Sequence, residues 1–155
     1  MFSSCRVWRY SLWRRWGGTV NRPLVAFVGL NPSTADETQD DPTVRRCIQF
    51  AKDWGFAGMF MLNAYAFRAT DPRVMQAAPD PEGPANNSTL AYWGEHVDLI
   101  VAAWGNHCTD ERQAEICKVI GRPIHCLGTN KTGKPKHPLY LSSNTTTELF
   151  WEPRA

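Results

Sequence analysis

Four short polar clusters carry the chemistry open to this chain: N-P-S-T at 31–34, N-A-Y at 63–65, W-G-N-H at 104–107 and G-T-N-K-T-G-K-P-K-H at 128–137. Three of them supply amides, Asn31, Asn63 and Asn106. An amide offers both a donor and an acceptor, which suits it to the edges of nucleobases. The fourth supplies His137 among Lys131, Lys134 and Lys136. The neighbouring lysines bias the imidazole towards neutrality, and a neutral ring still donates one hydrogen bond. The K-T-G-K-P-K loop has the composition to hold phosphates.

Each cluster follows a predicted strand. Leu24 to Val28 is an unbroken apolar run, as expected of a strand covered on both faces, and it breaks at Gly29 and Pro32. Further strands are predicted from about Ala57 to Leu62, over D-L-I-V-A-A-W-G, and from Pro123 to Leu127. Between them Asp41-Pro42 and Asp71-Pro72 carry the signature of a capping carboxylate followed by proline at the first helical position. Asn86 or Asn87 is expected to cap a helix reaching about His96, and Thr109 or Asp110 one that Gly121 closes. Strand and helix thus alternate, which predicts an α/β three-layer sandwich with a four-stranded parallel sheet. In such a sheet all four clusters emerge at the carboxyl edge, where ligands usually sit. A single site built from them is the simplest reading.

Residues 1–155 are expected to form one domain, with 1–22 a basic, aromatic-rich N-terminal extension laid on the sheet as an edge strand or hairpin turning at Gly17-Gly18. A hydrophobic share of 43% and a charged share of 21% are ordinary for a soluble globular protein. No apolar run approaches the roughly 20 residues of a membrane helix, and no signal-peptide core is visible, so a cytoplasmic protein is expected. The five cysteines include no C-x-x-C pair and the histidines no zinc spacing, so neither a metal nor a cofactor is expected. Cys108, Cys117 and Cys126 read as small buried hydrophobes, and His107 as a capping or packing residue. Residues 1–25 and 118–138 are basic without a single acid. Brought together, they would form a rim for a polyanion.

The ordered motifs G-L-N-P-S-T, L-N-A-Y, A-A-W-G-N-H and H-P-L-Y-L-S resemble those of the uracil-DNA glycosylase superfamily, over about Leu24 to Ser143. The chain also resembles, more closely, a bacterial and phage domain family of unknown function marked by G-L-N-P-S-T-A-D, D-P-T-V-R-R-C, A-F-R-A-T-D-P and H-P-L-Y. The glycosylase resemblance implies that Asn31 orients the attacking water and that Asn63 reads the edge of a flipped base. It further implies that His137 stabilises charge on the departing base and that Leu141, followed by Ser142, wedges into the vacated stack. Asn31 is not a carboxylate, so either it only positions water or Asp36, Glu37, Asp40 or Asp41 of the same loop supplies the base, with Asp36 the first candidate. Tyr65 and Phe67 are candidates to stack on the base, and Asn106 to bind it. Arg45 and Arg46 are candidates for phosphate.

Cleavage of an N-glycosidic bond leaves positive character on the sugar and negative character on the base. Such a site needs donors at the base and an oriented water opposite. The expectation is therefore a glycosylase-like hydrolase of a flipped or modified base in DNA. The alternatives are a hydrolase or binder of a free nucleoside or nucleotide, and a non-catalytic nucleic-acid-binding module.

Overall fold

A computed structural model describes residues 1–16 and 23–154. The Gly17-Gly18 turn lies outside the described residues. A mixed, six-stranded sheet forms the centre, with strands β1 (Leu12–Arg15), β2 (Leu24–Gly29), β3 (Gly58–Asn63), β4 (Leu99–Ala102), β5 (Ile124–Cys126) and β6 (Glu148–Trp151). Their spatial order is β1-β3-β2-β4-β5-β6. The interior strands β3, β2, β4 and β5 run parallel, and β1 and β6 close the two edges antiparallel. The sheet is thus larger than expected and not purely parallel. The first edge matches the expected N-terminal strand, whereas β6 had no forerunner among the sequence expectations.

Four helices, α1 (Pro42–Asp53), α2 (Pro72–Ala77), α3 (Asn86–His96) and α4 (Asp110–Ile120), fill the connections. Asp41 caps α1 by accepting from Val44 N–H at 2.8 Å, and Asp71 caps α2 by accepting from Arg73 N–H at 2.8 Å. Thr109 caps α4, and Gly121 ends it in the left-handed conformation that glycine adopts without steric cost. Helix α3 departs from expectation. Its N-cap is Ala85, and the Asn86 side chain turns inward to donate to the carbonyls of Asn63 and Ala64. Holding a buried strand end outweighed capping.

Alternation along β2 explains why the strand reads as wholly apolar. Val25 and Phe27 pack with Val44, Cys47 and Phe50 of α1, while Ala26 and Val28 face Leu90 of α3 and Ile116 of α4. Each large side chain fully removed from water in these two layers contributes roughly 1.5–3 kcal/mol. The packing leaves the carboxyl ends of the strands free to diverge into loops, which backbone bonds then tie together. Ala64 N–H donates to Gly29 O, Ala103 N–H to Val28 O, and Gly105 N–H to Pro135 O. Among the described residues, no helix is long and apolar enough to cross a membrane.

Candidate functional site

A cavity of about 680 Å³ opens at the carboxyl edge of the sheet, within the range typical of small-molecule sites. Asn31, Asn63, Asn106 and His137 all line it, each delivered by a different connection. Lys136, Leu139, Tyr140 and Leu141 complete the wall near His137, and Arg9 and Asp41 join from the N-terminal segment and the start of α1.

The side chains are held by distinct means. Asn31 follows β2 and spends its Nδ2 on the carbonyls of Ala69 (2.8 Å) and Phe67 (3.3 Å), clamping two loops together. Among the described residues, no donor reaches its Oδ1. Asn63 ends β3 in register with Gly29 and is fully buried. Its Nδ2 makes a long bond to Arg9 O at 3.5 Å, and its buried Oδ1 has no partner among the described residues. A Cβ at Gly29 would come within 2.7 Å of Met61 Cε and 3.7 Å of Asn63 Oδ1, so a side chain here would displace the Met61 methyl and take up space at this floor. Asn106 accepts at Oδ1 from Thr132 Oγ1 (2.7 Å) and Asn130 Nδ2 (3.0 Å), which leaves its NH2 as the available donor.

His137 stands exposed at the rim. Its Nδ1 accepts from Leu139 N–H at 3.2 Å, which places the ring proton on Nε2 and leaves that group free to donate. Crowding by the surrounding loops lowers its pKa, opposed by the Asp41 carboxylate. The neighbouring lysines are not the cause. Lys134 is buried and points elsewhere, paired with Asp110 at 2.7 Å.

Asp41 is the carboxylate at this cavity. Its Oδ1 is committed to the α1 cap, and its other oxygen takes no protein donor among the described residues. Asp36, the first candidate for a base, does not line the cavity. Its Oδ1 accepts from the N–H groups of Thr38 and Gln39 and from Thr38 Oγ1, and these bonds hold its pKa below the ordinary carboxylate value. It shapes the loop that presents Asp41.

Arg9 had drawn no attention as a site residue. It is 2% exposed, donates from Nη1 to Ala35 O at 2.9 Å, and leaves Nε without a partner among the described residues. Burial lowers its pKa to about 10, again opposed by Asp41, so it remains a cation at neutral pH. Its position in a Trp-Arg-Tyr run hinted at an enclosed arginine. The direction it faces is set by tertiary packing.

The other candidates are divided between the cavity wall and the surrounding surface and core. Tyr65 is buried beside Thr109, its hydroxyl 3.4 Å from Thr109 Oγ1, and Phe67 is bridged to Trp8; neither lines the wall. Arg45 donates to Asp40 O, and Arg46 grips the carbonyl of Leu141 while lying over the Phe50 ring. Lys131 is exposed on its loop, and Ser142 organises a turn with Asn144 and Thr145. Leu141 is partly buried against the α1-side core. His107 is neither a cap nor a core residue but an exposed part of the cavity wall.

Two of the buried thiols are held in the protonated form. Burial pushes Cys108 and Cys117 up to about 11, far from the thiolate form at neutral pH. Among the described residues, no cluster of three or more histidine, cysteine or carboxylate side chains could hold a metal ion.

Residues 9–139 match DUF1643, described as a protein of unknown function. The chain belongs to the DUF1643 family. The match includes every polar cluster of the cavity, and it agrees with the resemblance to a domain family of unknown function. No curated protein and no solved structure matches the chain. The glycosylase resemblance therefore rests on the motifs alone.

Proposed function

We propose that the cavity is a nucleobase pocket and that this DUF1643 member is a glycosylase-like hydrolase, cleaving the N-glycosidic bond of a flipped or modified base in DNA. The observation that carries this reading is the convergence of Asn31, Asn63, Asn106 and His137 from four connections on one cavity. The parallel run of the four interior strands is compatible with a glycosylase-like core.

In this reading the floor, with Asn63 and Arg9, reads the base edge, and the NH2 of Asn106 adds a donor at the wall. Asp41 takes the place of the carboxylate missing at Asn31. It accepts a proton from water as the water oxygen bonds to the sugar carbon and the carbon–nitrogen bond breaks. The electron pair leaves with the base, whose developing negative charge the Nε2–H of His137 stabilises.

A second reading, a free nucleoside or nucleotide as substrate, is favoured by the fate of the basic residues. Arg6 pairs with Glu37, Arg14 with Asp40 and Lys134 with Asp110, so part of the expected polyanion rim is neutralised within the protein.

Release of free base from a panel of normal and modified DNA, and from the corresponding nucleosides, tests both. Base release from DNA that His137→Asn and Asn63→Ala abolish supports the first. Release from nucleosides alone supports the second. Absence of release and of binding by every nucleobase-containing probe would remove the proposal.

A further inference from the structure

Tyr140 is 99% exposed at the mouth of the cavity, and its backbone has φ 68°. Both features are unfavourable for a tyrosine. A bulky residue at positive φ is strained, and an aromatic ring normally buries most of its surface. The chain holds it there by fixing both neighbours. Leu139 N–H donates to His137 Nδ1, and Leu141 has its carbonyl gripped by Arg46 and its side chain set against the α1-side core. With 139 and 141 anchored, the intervening ring can only project into solvent. Of the adjacent pair Tyr140 and Leu141, the exposed side chain is thus Tyr140.

We propose that Tyr140 is a stacking platform for the nucleobase adjacent to the one in the cavity, so that the substrate is a nucleic-acid strand rather than a free nucleotide. This rests on the nucleobase reading of the cavity. A solvated aromatic face outside a pocket gains most by covering a second flat ring, and base stacking on tyrosine is indifferent to sequence. Lys136, on the same stretch of wall, is placed to meet the phosphate that links the two nucleotides.

The test compares wild type, Tyr140→Ala and Tyr140→Phe for binding of a labelled single-stranded oligodeoxynucleotide of mixed sequence and of deoxynucleoside monophosphates. Because the side chain is fully exposed, its truncation leaves the core untouched. The expected result is about a 10-fold loss of strand affinity in Tyr140→Ala, little loss in Tyr140→Phe, and a much smaller loss of mononucleotide binding than of strand binding in Tyr140→Ala. Strand affinity unaltered in Tyr140→Ala would overturn the proposal, as would an equal loss for mononucleotides. Wild-type protein that binds mononucleotides but no strand would overturn it while leaving the nucleobase pocket standing. Binding of neither would remove the pocket reading and this proposal together.

Discussion

Among the described residues two arginines are buried, Arg9 and Arg112, both bonded near the end of β3, and their surroundings differ. Arg112 lies under α3 and α4. It donates from Nε to Ala64 O at 2.8 Å and from Nη1 to Asn87 Oδ1 at 2.7 Å, with the carboxylates of Glu115 and Glu82 on the same nitrogen. Asn86 beside it holds the carbonyls of Asn63 and Ala64. Arg9 has one carbonyl partner and an unmatched Nε, and it lines the same cavity as Asn63, whose Oδ1 is unmatched too. Each arginine keeps one buried nitrogen without a partner among the described residues, Nη2 of Arg112 and Nε of Arg9, so unmatched donors do not separate them. The difference is charge: two carboxylates answer Arg112, whereas Arg9 forms no ion pair among the described residues and lines the cavity at the carboxyl edge of the sheet.

The sharpest way to break this contrast is at Asp41, the carboxylate that faces Arg9's side of the cavity. Asp41→Asn preserves an oxygen for the α1 cap but removes the charge. Base release is expected to fall at least about 100-fold, near 3 kcal/mol in the barrier, with the urea midpoint almost unchanged. A variant that keeps its activity would show that Asp41 is only a cap.

Paired substitutions sharpen the contrast next. Arg112→Met is expected to cost roughly 2–3 kcal/mol of folding stability, because it takes one of two side-chain donors from the buried Ala64 carbonyl and leaves two half-exposed glutamates without their cation. Arg9→Met is expected to change stability by about 1 kcal/mol or less while weakening nucleobase binding roughly 10-fold. Urea unfolding and ligand titration of both proteins check this. Equal destabilisation with intact binding in Arg9→Met would erase the distinction.

The smallest effect concerns His137. Its folded pKa lies below the ordinary 6.5, so the neutral ring is favoured in the native protein. Any contribution to stability is present above the unfolded pKa and is lost as pH falls through the folded one, because the unfolded chain binds the proton first. Protonation of Nδ1 also ends the bond from Leu139 N–H, loosening the loop that carries Tyr140. A proton NMR titration should place the His137 midpoint below 6.5, with the Leu139 amide shifting in parallel; a midpoint above 6.5 contradicts this.

Local chemistry made part of this molecule readable in advance. Asp41-Pro42, Asp71-Pro72 and Gly121 announce helix ends through bonds made within a few residues, and they sit where expected. Strand polarity likewise brought the three asparagines and His137 to one edge. The start of α3 and the roles of Tyr65, Phe67 and Lys134 were not readable, because each depends on a partner far along the chain. Asn86 reaches back to β3, Tyr65 meets Thr109, and Lys134 meets Asp110. β6 escaped notice because Glu148–Trp151 is short, follows a polar stretch and pairs only along one side of β5. Asp36 and Asp41 sit on one loop with the same functional group. Only the turn formed by Thr38 and Gln39 separates a builder of the loop from a resident of the cavity.

That loop is stapled to the N-terminal segment by solvent-facing ionic contacts, Arg6 to Glu37 and Arg14 to Asp40, with Arg14 also bonded to the Asp36 carbonyl. Contacts of this kind fade as electrolyte is added, whereas the apolar layers around the sheet do not. Added electrolyte is therefore expected to slacken this loop before it disturbs the core. On the proposed reading, turnover of even an uncharged nucleoside would respond to salt through the loosened Asp41 loop, with the melting point hardly moved.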